Sequence, residues 1–379
     1  MSKPKITYIV SGLDKAPEFE WVGEHLSLVF EMEFILIGTS PDTALARFLK
    51  NRNIPSYYVS YHDKGQFVSA LLSTWRILLK TRPKMVHAHL FEASLIGLAA
   101  AFLSGIKIRI YTRHHSDLHL VYFPKAVKYD KFCNFLATQI VAVSKNVADI
   151  LLKQEGANPK KVKIIHHAFD WSNYDHCSET QIQILKNKYG LAAHQPVVGV
   201  VSRFTYWKGI QYIIPAFKKL LEKYPKACLV LANAKGDFSS EIMSLLSSIN
   251  SDNYRIIVFE PDVAALYRCF DVFVHTPLSA TAEAFGQVYL EALASNVPSV
   301  FTLSGIASEC IRNGEQALVV PFKNSSEIEK AIDSILTNNT LRETLIREGY
   351  LLSRTFSLEK KIKALLNLYE STIDIRQTI

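Results

Sequence analysis

Short, almost wholly apolar runs alternate along this chain with longer stretches in which apolar residues recur every three or four positions. In the first half the short runs are Ile6–Val10, Phe34–Ile37, Tyr57–Val59, Met85–His89, Ile108–Thr112, Gln139–Val143 and Val162–Ile165, and their length and β-branched content predict strands. Helical periodicity falls between them, over Val68–Lys80, Ala93–Ser104 and Val147–Gln154. Polar Asp170–Thr180 reads as a linker and Gln181–Tyr189 as a short connecting helix. A second series then begins. Strands are predicted at Val197–Val201, Cys228–Ala232, Tyr254–Val258, Val272–His275, Ser299–Thr302 and Ala317–Val320. Helices are predicted at Ile210–Lys223, Ser239–Ser248, Val263–Cys269, Gln287–Ala294 and Ser326–Thr337. Leu341–Thr372 is helical, with a break at Ser353–Ser357. Strands that are apolar throughout, rather than alternating, belong to parallel sheets covered by helices on both faces. The expectation is an α/β chain of two doubly wound domains facing across a cleft, with ligands at the carboxyl ends of the strands.

Composition adds little to this picture and excludes some function classes. A length of 379 residues suits two domains, and 49% apolar with 21% charged residues is the balance of a folded soluble protein. The apolar run Ile6–Val10 is too brief for a signal peptide, and the longest, near Ala93–Gly105, is well short of a membrane span, so a cytoplasmic location is expected. Cys133, Cys177, Cys228, Cys269 and Cys310 are scattered without a C-x-x-C pair, which argues against a disulfide framework or zinc site and for small buried hydrophobes. Charge is uneven. Residues 1–175 hold 22 Lys+Arg against 15 Asp+Glu, whereas residues 176–379 hold 21 against 20. A basic first half suits an anionic partner such as a membrane surface, a phospholipid-like acceptor or nucleic acid.

Candidate chemistry concentrates on the stretch Glu283-Ala-Phe285-Gly286-Gln287-Val-Tyr-Leu-Glu291. It places two carboxylates eight positions apart, roughly on one side of a helix whose glycine entrance exposes backbone N–H groups suited to phosphate. The same spacing also describes an ordinary helix opened by an acid, with a second Glu on its solvated face. Earlier, Val201-Ser-Arg203-Phe-Thr-Tyr-Trp-Lys208-Gly209 follows a strand and precedes a helix. Its Arg and Lys can neutralise a diphosphate or form a solvated basic turn. Glu260-Pro-Asp-Val263 lies in a strand-to-helix loop whose backbone could read a base edge. Tyr111-Thr-Arg113-His114-His115 lies just past a strand, where a His can donate a hydrogen bond to a sugar. The histidines near it (His87, His89, His115, His119) lack metal-binding spacing and an accompanying carboxylate cluster, so no metal is expected. Lone glycines such as Gly12 and Gly209 do not make a dinucleotide fingerprint, which leaves an NAD-dependent dehydrogenase poorly supported.

Taken together and in this order, these segments resemble the retaining glycosyltransferases of family 4, the glycosyl transferases group 1, which have the GT-B fold of two Rossmann-like domains. The resemblance spans nearly the whole chain. It implies an N-terminal acceptor-side domain over 1–175, a donor-binding domain over 181–355, and a C-terminal helix at about 357–379 that packs back on the first. It implies a hexosyltransferase-type enzyme that moves a sugar from a UDP- or GDP-sugar to a glycan or lipid-linked acceptor, in surface polysaccharide or glycolipid biosynthesis. Glu283 would contact the donor sugar and Glu291 the ribose. Arg203 and Lys208 would hold the diphosphate, aided by the N–H groups near Phe285, Gly286 and Gln287. Glu260 and Val263 would flank the base, and His114 would bind the sugar from the other domain. Gly12 is the survivor of a first loop that carries consecutive glycines elsewhere in the family and is bulkier and more acidic here. No metal or other cofactor is implied, since Arg and Lys supply the positive charge. Lysine–aromatic stretches at Tyr122–Phe132 and Trp75–Lys84 suggest weak peripheral association with the inner face of a membrane; no nucleic-acid partner is expected. Rival readings are a GT-B sugar-nucleotide epimerase and a non-catalytic nucleotide-sugar or glycan-binding protein.

Overall fold

The computed structural model describes residues 3–377, with side chains as far as Ile373. Residues 1, 2, 378 and 379 of the stretches considered above lie outside it. The chain forms two compact units. One runs up to Phe169 and takes the chain back from Leu358, and the other is Asp170–Ser357. Seven strands build the first unit: β1 (Lys5–Ser11), β2 (Glu31–Gly38), β3 (Ser56–Ser60), β4 (Met85–His89), β5 (Ile108–Arg113), β6 (Gln139–Ala142) and β7 (Val162–Ile164). They lie in the order β3-β2-β1-β4-β5-β6-β7, all parallel. Six build the second: β8 (Val197–Val201), β9 (Cys228–Ala232), β10 (Tyr254–Ile257), β11 (Val272–His275), β12 (Ser299–Phe301) and β13 (Leu318–Val319). Their order is β10-β9-β8-β11-β12-β13, again all parallel. In each sheet the order reverses beside its first strand, so β1 and β8 and their following loops sit at the switch points where such sheets bind ligands.

Continuous burial explains the apolar runs. Every residue of β8, β9 and β11 is buried, because helices such as Ile210–Lys223 and Ser325–Thr337 cover the sheet. Phe217, Leu229, Val274 and Ile332 meet in that core, each fully buried side chain stabilising the unit by about 1.5–3 kcal/mol. Further helices of the first unit include Pro17–Leu26, Ala44–Asn51 and Val127–Leu136. Pro at the first position starts the first of them, and the Thr43 hydroxyl accepts from Ala46 N–H (3.1 Å) to start the second. The stretch Asp170–Thr180 is not a bare linker. It contains a helical turn, Ser172–Asp175, and Ser178 with Gln181 forms a capping box that starts the next helix at Glu179.

The helix Leu358–Gln377 returns to the first unit, where Ile362, Leu365, Leu368 and Tyr369 join Tyr8, Phe19 and Ile108 in one core. A buried polar chain runs through that contact. The Tyr369 hydroxyl bonds the Tyr8 hydroxyl and His87 Nδ1 (2.5 Å), and His87 Nε2 meets Thr112 Oγ1 (2.8 Å). Such a chain specifies its packing because any slip leaves buried polar atoms unpaired. All five cysteines are free. Cys133, Cys228 and Cys269 are buried, but Cys177 and Cys310 are only half-buried, short of the expected burial. Among the described residues no helix is long and apolar enough to cross a membrane.

Candidate active site

In the second unit the loops after β8, β11 and β12 converge. The β8 loop carries Lys208 on a short 3-10 turn, Tyr206–Lys208, that ends on Gly209 with φ of 77°. A Cβ on Gly209 would lie 1.9 Å from the Thr276 carbonyl oxygen, so only glycine lets this loop press against the end of β11. The 280–286 loop carries Glu283. Its amide donates to Ser304 Oγ (3.0 Å), while Gly305 N–H reaches Ala280 O (3.2 Å) and Ile306 N–H reaches Phe285 O (2.9 Å). The loop after β12 therefore holds the acidic loop in place. Gly286, with φ of 85°, is the N-cap of the helix Gln287–Ala294, and the first amides of that helix lie outside its hydrogen-bond ladder.

These loops bring Glu283, Lys208 and His275 together. Lys208 Nζ lies 2.5 Å from Glu283 Oε1, and His275 Nε2–H donates to the same oxygen at 2.9 Å. Glu283 is 93% buried. Burial alone would raise its carboxyl, but the Lys208 charge and the His275 hydrogen bond outweigh that and hold it down at about 2. His275 is pulled down, chiefly by its burial. Its Nδ1 has no hydrogen-bond partner among the described residues, and neither does Thr276 Oγ1 beside it. Unpaired buried polar atoms are costly in a finished core and common where a ligand completes the site. Arg203 is exposed on the same loop as Lys208, with no side-chain ion pair among the described residues.

The sequence did not single out His275, which closes the apolar strand β11. Its one signal was its place at a carboxyl strand end eight positions before Glu283. Glu291 lies in the second turn of the Gln287 helix, half-buried, and accepts from the Tyr267 hydroxyl (3.0 Å) and from Tyr174. Burial raises its carboxyl, and those hydrogen bonds hold the rise back. Glu260 has a bracing part that the sequence did not reveal. Its buried carboxylate accepts from Lys188 Nζ (2.7 Å), the Tyr189 hydroxyl (2.6 Å) and Asp262 N–H (3.0 Å), fixing the loop that leads to half-buried Val263.

In the first unit His114 follows β5, with Nε2 3.2 Å from His89 Nδ1 and its ring beside that of His167. His167 Nδ1 meets Glu18 (2.6 Å), and Lys361 of the last helix pairs with the same carboxylate. Burial pulls His114 down to about 3, with its neighbours His167 and Lys361 adding to it, so the ring is neutral. The Gly12 amide donates to the Ile37 carbonyl (3.0 Å), so this residue offers a ligand close approach rather than a free N–H. The histidines do gain a carboxylate through the fold, contrary to the sequence expectation: donor atoms of His115, His119 and Asp130 lie within 4.8 Å of one another. Arg113 sits 2.9 Å from that Asp130 carboxylate, so a cation there would meet a fixed positive charge.

Burial pulls His87, His89, His114, His115 and His275 below their ordinary value of 6.5. The unfolded chain therefore takes up protons on these rings before the folded one does, and stability is complete above about pH 6.5 and lost as pH falls below it. We expect Tm to decline steadily as pH falls from about 6.5 to 5, each ring contributing up to roughly 1.4 kcal/mol per pH unit. A calorimetric Tm that stays flat over that interval would contradict the neutral, buried state of these rings.

The two parallel-sheet Rossmann-like units have the architecture of the GT-B glycosyltransferases. Residues 181–352 match the glycosyl transferases group 1 and residues 31–172 match glycosyltransferase family 4. The chain belongs to this family. It is 29% identical to the capsular polysaccharide biosynthesis glycosyltransferase CapM of Staphylococcus aureus, over 74% of this chain and 75% of CapM. It is 24% identical to the alpha-monoglucosyldiacylglycerol synthase of Acholeplasma laidlawii, over 79% and 78% of the two chains. Among solved structures it is similar to HepE of Anabaena in complex with UDP and glucose, with a TM-score of 0.84 at 19% identity over 97% of this chain and 100% of HepE.

Proposed function

We propose that this glycosyltransferase moves a hexose from a UDP- or GDP-sugar to a glycan or lipid-linked acceptor, with retention of configuration, in surface polysaccharide or glycolipid assembly. The observation that carries the reading is the buried Glu283 carboxylate held by Lys208 and His275 beside the Gly286 helix entrance. Glu283 contacts the donor sugar. Arg203 and the remaining N–H donors of Lys208 hold the diphosphate, and the amides from Phe285 to Gln287 add to them. A leaving nucleoside diphosphate gains negative charge as the bond to the sugar breaks, so fixed cations and a helix entrance act mainly on the transition state. Glu291 takes the ribose alongside its two tyrosines, and the backbone near Glu260 and Val263 flanks the base. His114, neutral in the first unit, is assigned to the donor sugar. HepE was solved with UDP and with UDP-glucose, which favours the uridine arm, and the names of CapM and the glucosyldiacylglycerol synthase favour the surface-glycan and glycolipid setting.

The test is a thermal-shift panel of UDP, GDP, ADP and their sugars, followed by turnover of the best donor. A nucleotide at 100 to 1,000 times its Kd should stabilise the protein by about 3–4 kcal/mol. Transfer to an acceptor should persist in a chelator, because Arg203 and Lys208 take the place of a metal. Conversion of the nucleotide sugar without transfer would instead mark an epimerase, and binding without turnover a non-catalytic module.

We place the enzyme in the cytoplasm, peripheral to the membrane. Phe123 (57% exposed) and Phe135 (73% exposed) stand with exposed Lys125, Lys128 and Lys131 on the segment 122–135. Aromatics dip into the interface while lysines meet anionic headgroups. Partial flotation with anionic vesicles is expected, reduced by salt. Protein left wholly in the soluble fraction would rule the association out.

A further inference from the structure

The first unit has a cavity of about 450 Å³ at the carboxyl ends of β1, β2 and β3, within the range that holds a small ligand. Gly12, Asp14, Ser40, Thr43, Tyr61 and Glu92 are among its walls; His62 is its one basic side chain, and neither Lys nor Arg lines it. Two exposed carboxylates, Asp14 and Glu92, stand among these walls. Asp14 Oδ1 accepts the Ala44 amide (2.9 Å). Ser11 Oγ accepts the Ala93 amide (3.2 Å) and lies 3.5 Å from Glu92 Oε2. Each carboxylate offers about four acceptor positions, so both retain capacity for a ligand's hydroxyls. Asp42 at the rim is neutralised by Arg47 (2.7 Å). Burial raises the Tyr61 hydroxyl and the Glu92 charge raises it further, which keeps it a neutral donor. The lining thus combines anionic acceptors with hydroxyl groups that both donate and accept.

We propose that this cavity is a specificity pocket for the acceptor, and that it takes an uncharged, hydroxyl-rich sugar or polyol and rejects phosphorylated ones. The proposal rests on the transferase reading above, since it assigns the cavity to the sugar-accepting substrate. Sugar hydroxyls donate to Asp14 and Glu92 and accept from Tyr61 and Thr43. A phosphate in the same space would face two carboxylates with the single imidazole of His62, and no guanidinium or ammonium of the lining, to offset them. The acidic loop Ser11–Trp21, which holds Asp14, is therefore a selectivity device on this chain.

Saturation-transfer NMR on the full chain tests this, with methyl and octyl glucosides as neutral probes and glucose 1-phosphate and glucose 6-phosphate as charged ones. Neutral probes should bind, and the phosphates should bind about tenfold or more weakly. Glu92→Gln should narrow that gap, and Ser40→Trp at the exposed rim should abolish neutral binding while the shift in Tm produced by nucleotide is kept. Equal or tighter binding of the phosphates, no binding of the neutral probes, or neutral binding that survives Ser40→Trp would overturn the proposal. The nucleotide-induced shift reads the transferase function separately: if it persists while the glucosides fail, the acceptor assignment alone falls, and if it is absent with every nucleotide, the donor reading falls.

Discussion

Glu283→Ala is expected to lower kcat for sugar transfer by at least about 10²–10³, the loss seen when one fixed contact to a reacting centre is removed, while nucleotide affinity changes little. The asymmetry follows from placement. Glu283 sits deep in the second unit between Lys208 and His275, whereas Glu291 and the loop near Val263 are separate candidates for the nucleoside. Truncation also leaves Lys208 without its buried partner, so a loss of stability of about 3–5 kcal/mol is expected alongside the loss of rate. Glu283→Gln keeps the volume and an acceptor oxygen, and it separates charge from shape: at neutral pH it should lose the ion-pair part of the stability, as protonation of the wild-type carboxyl does, while avoiding a cavity, and it should still fail in turnover. Because the wild-type carboxyl is held at about 2 against an ordinary 4.5, its contribution is complete above about pH 4.5 and lost as pH falls toward 2. The Gln variant should lack that acid limb in its unfolding curve. Transfer by Glu283→Ala within tenfold of wild type would remove this residue from the reaction.

Arg203→Ala and Lys208→Ala should lose comparable activity, each about 2–4 kcal/mol of transition-state stabilisation, yet differ sharply in stability. Arg203 is exposed and without an ion pair among the described residues, so its removal should leave Tm almost unchanged. Lys208 holds a carboxylate that is 93% buried, and its loss should destabilise the second unit by about 3–5 kcal/mol and raise the Glu283 carboxyl. Activity of Lys208→Ala should then fall off at a higher pH than that of the wild type. Steady-state kinetics and thermal melts on the two variants separate a cation present for ligand from one that also completes the fold. Full activity in Arg203→Ala would refute its assignment to the diphosphate.

The strands and the longer helices were legible because their apolar residues carry the period of the element that buries them. Val197–Val201, Cys228–Ala232, Val272–His275, Ile210–Lys223 and Gln287–Ala294 occupy the spans read from the sequence. The helix Pro17–Leu26 carries Gly23 and three acids, and Ala44–Asn51 is amphipathic but only eight residues long, too short for its period to stand out, so caps and packing decide them. Val127–Leu136 was hidden by its mix of lysines and aromatics, which reads as a surface stretch before it reads as a helix. The sequence singled out Glu283 and Lys208, which the fold pairs, and Glu291, but not His275 or the tyrosines that these acids bond. His275 looks like the end of a core strand until the fold sets it against Glu283. Glu260 is tied to Lys188 and Tyr189 some 70 residues away, and no local pattern announces a long-range brace.

The return of the last helix to the first unit has a consequence for synthesis. The second unit is one continuous segment, Asp170–Ser357, and holds all it needs once its last residues leave the ribosome. The first is left unfinished at Phe169, because Leu365, Leu368 and Tyr369 are still to be made. At about 5–20 residues per second, the gap between Phe169 and Leu358 amounts to roughly 10–40 s. During that interval the Tyr8 hydroxyl and His87 Nδ1 wait for the hydroxyl that joins them. The unit made second is therefore the first able to finish, and the half of the protein that emerges first is the one most exposed to chaperones and proteases.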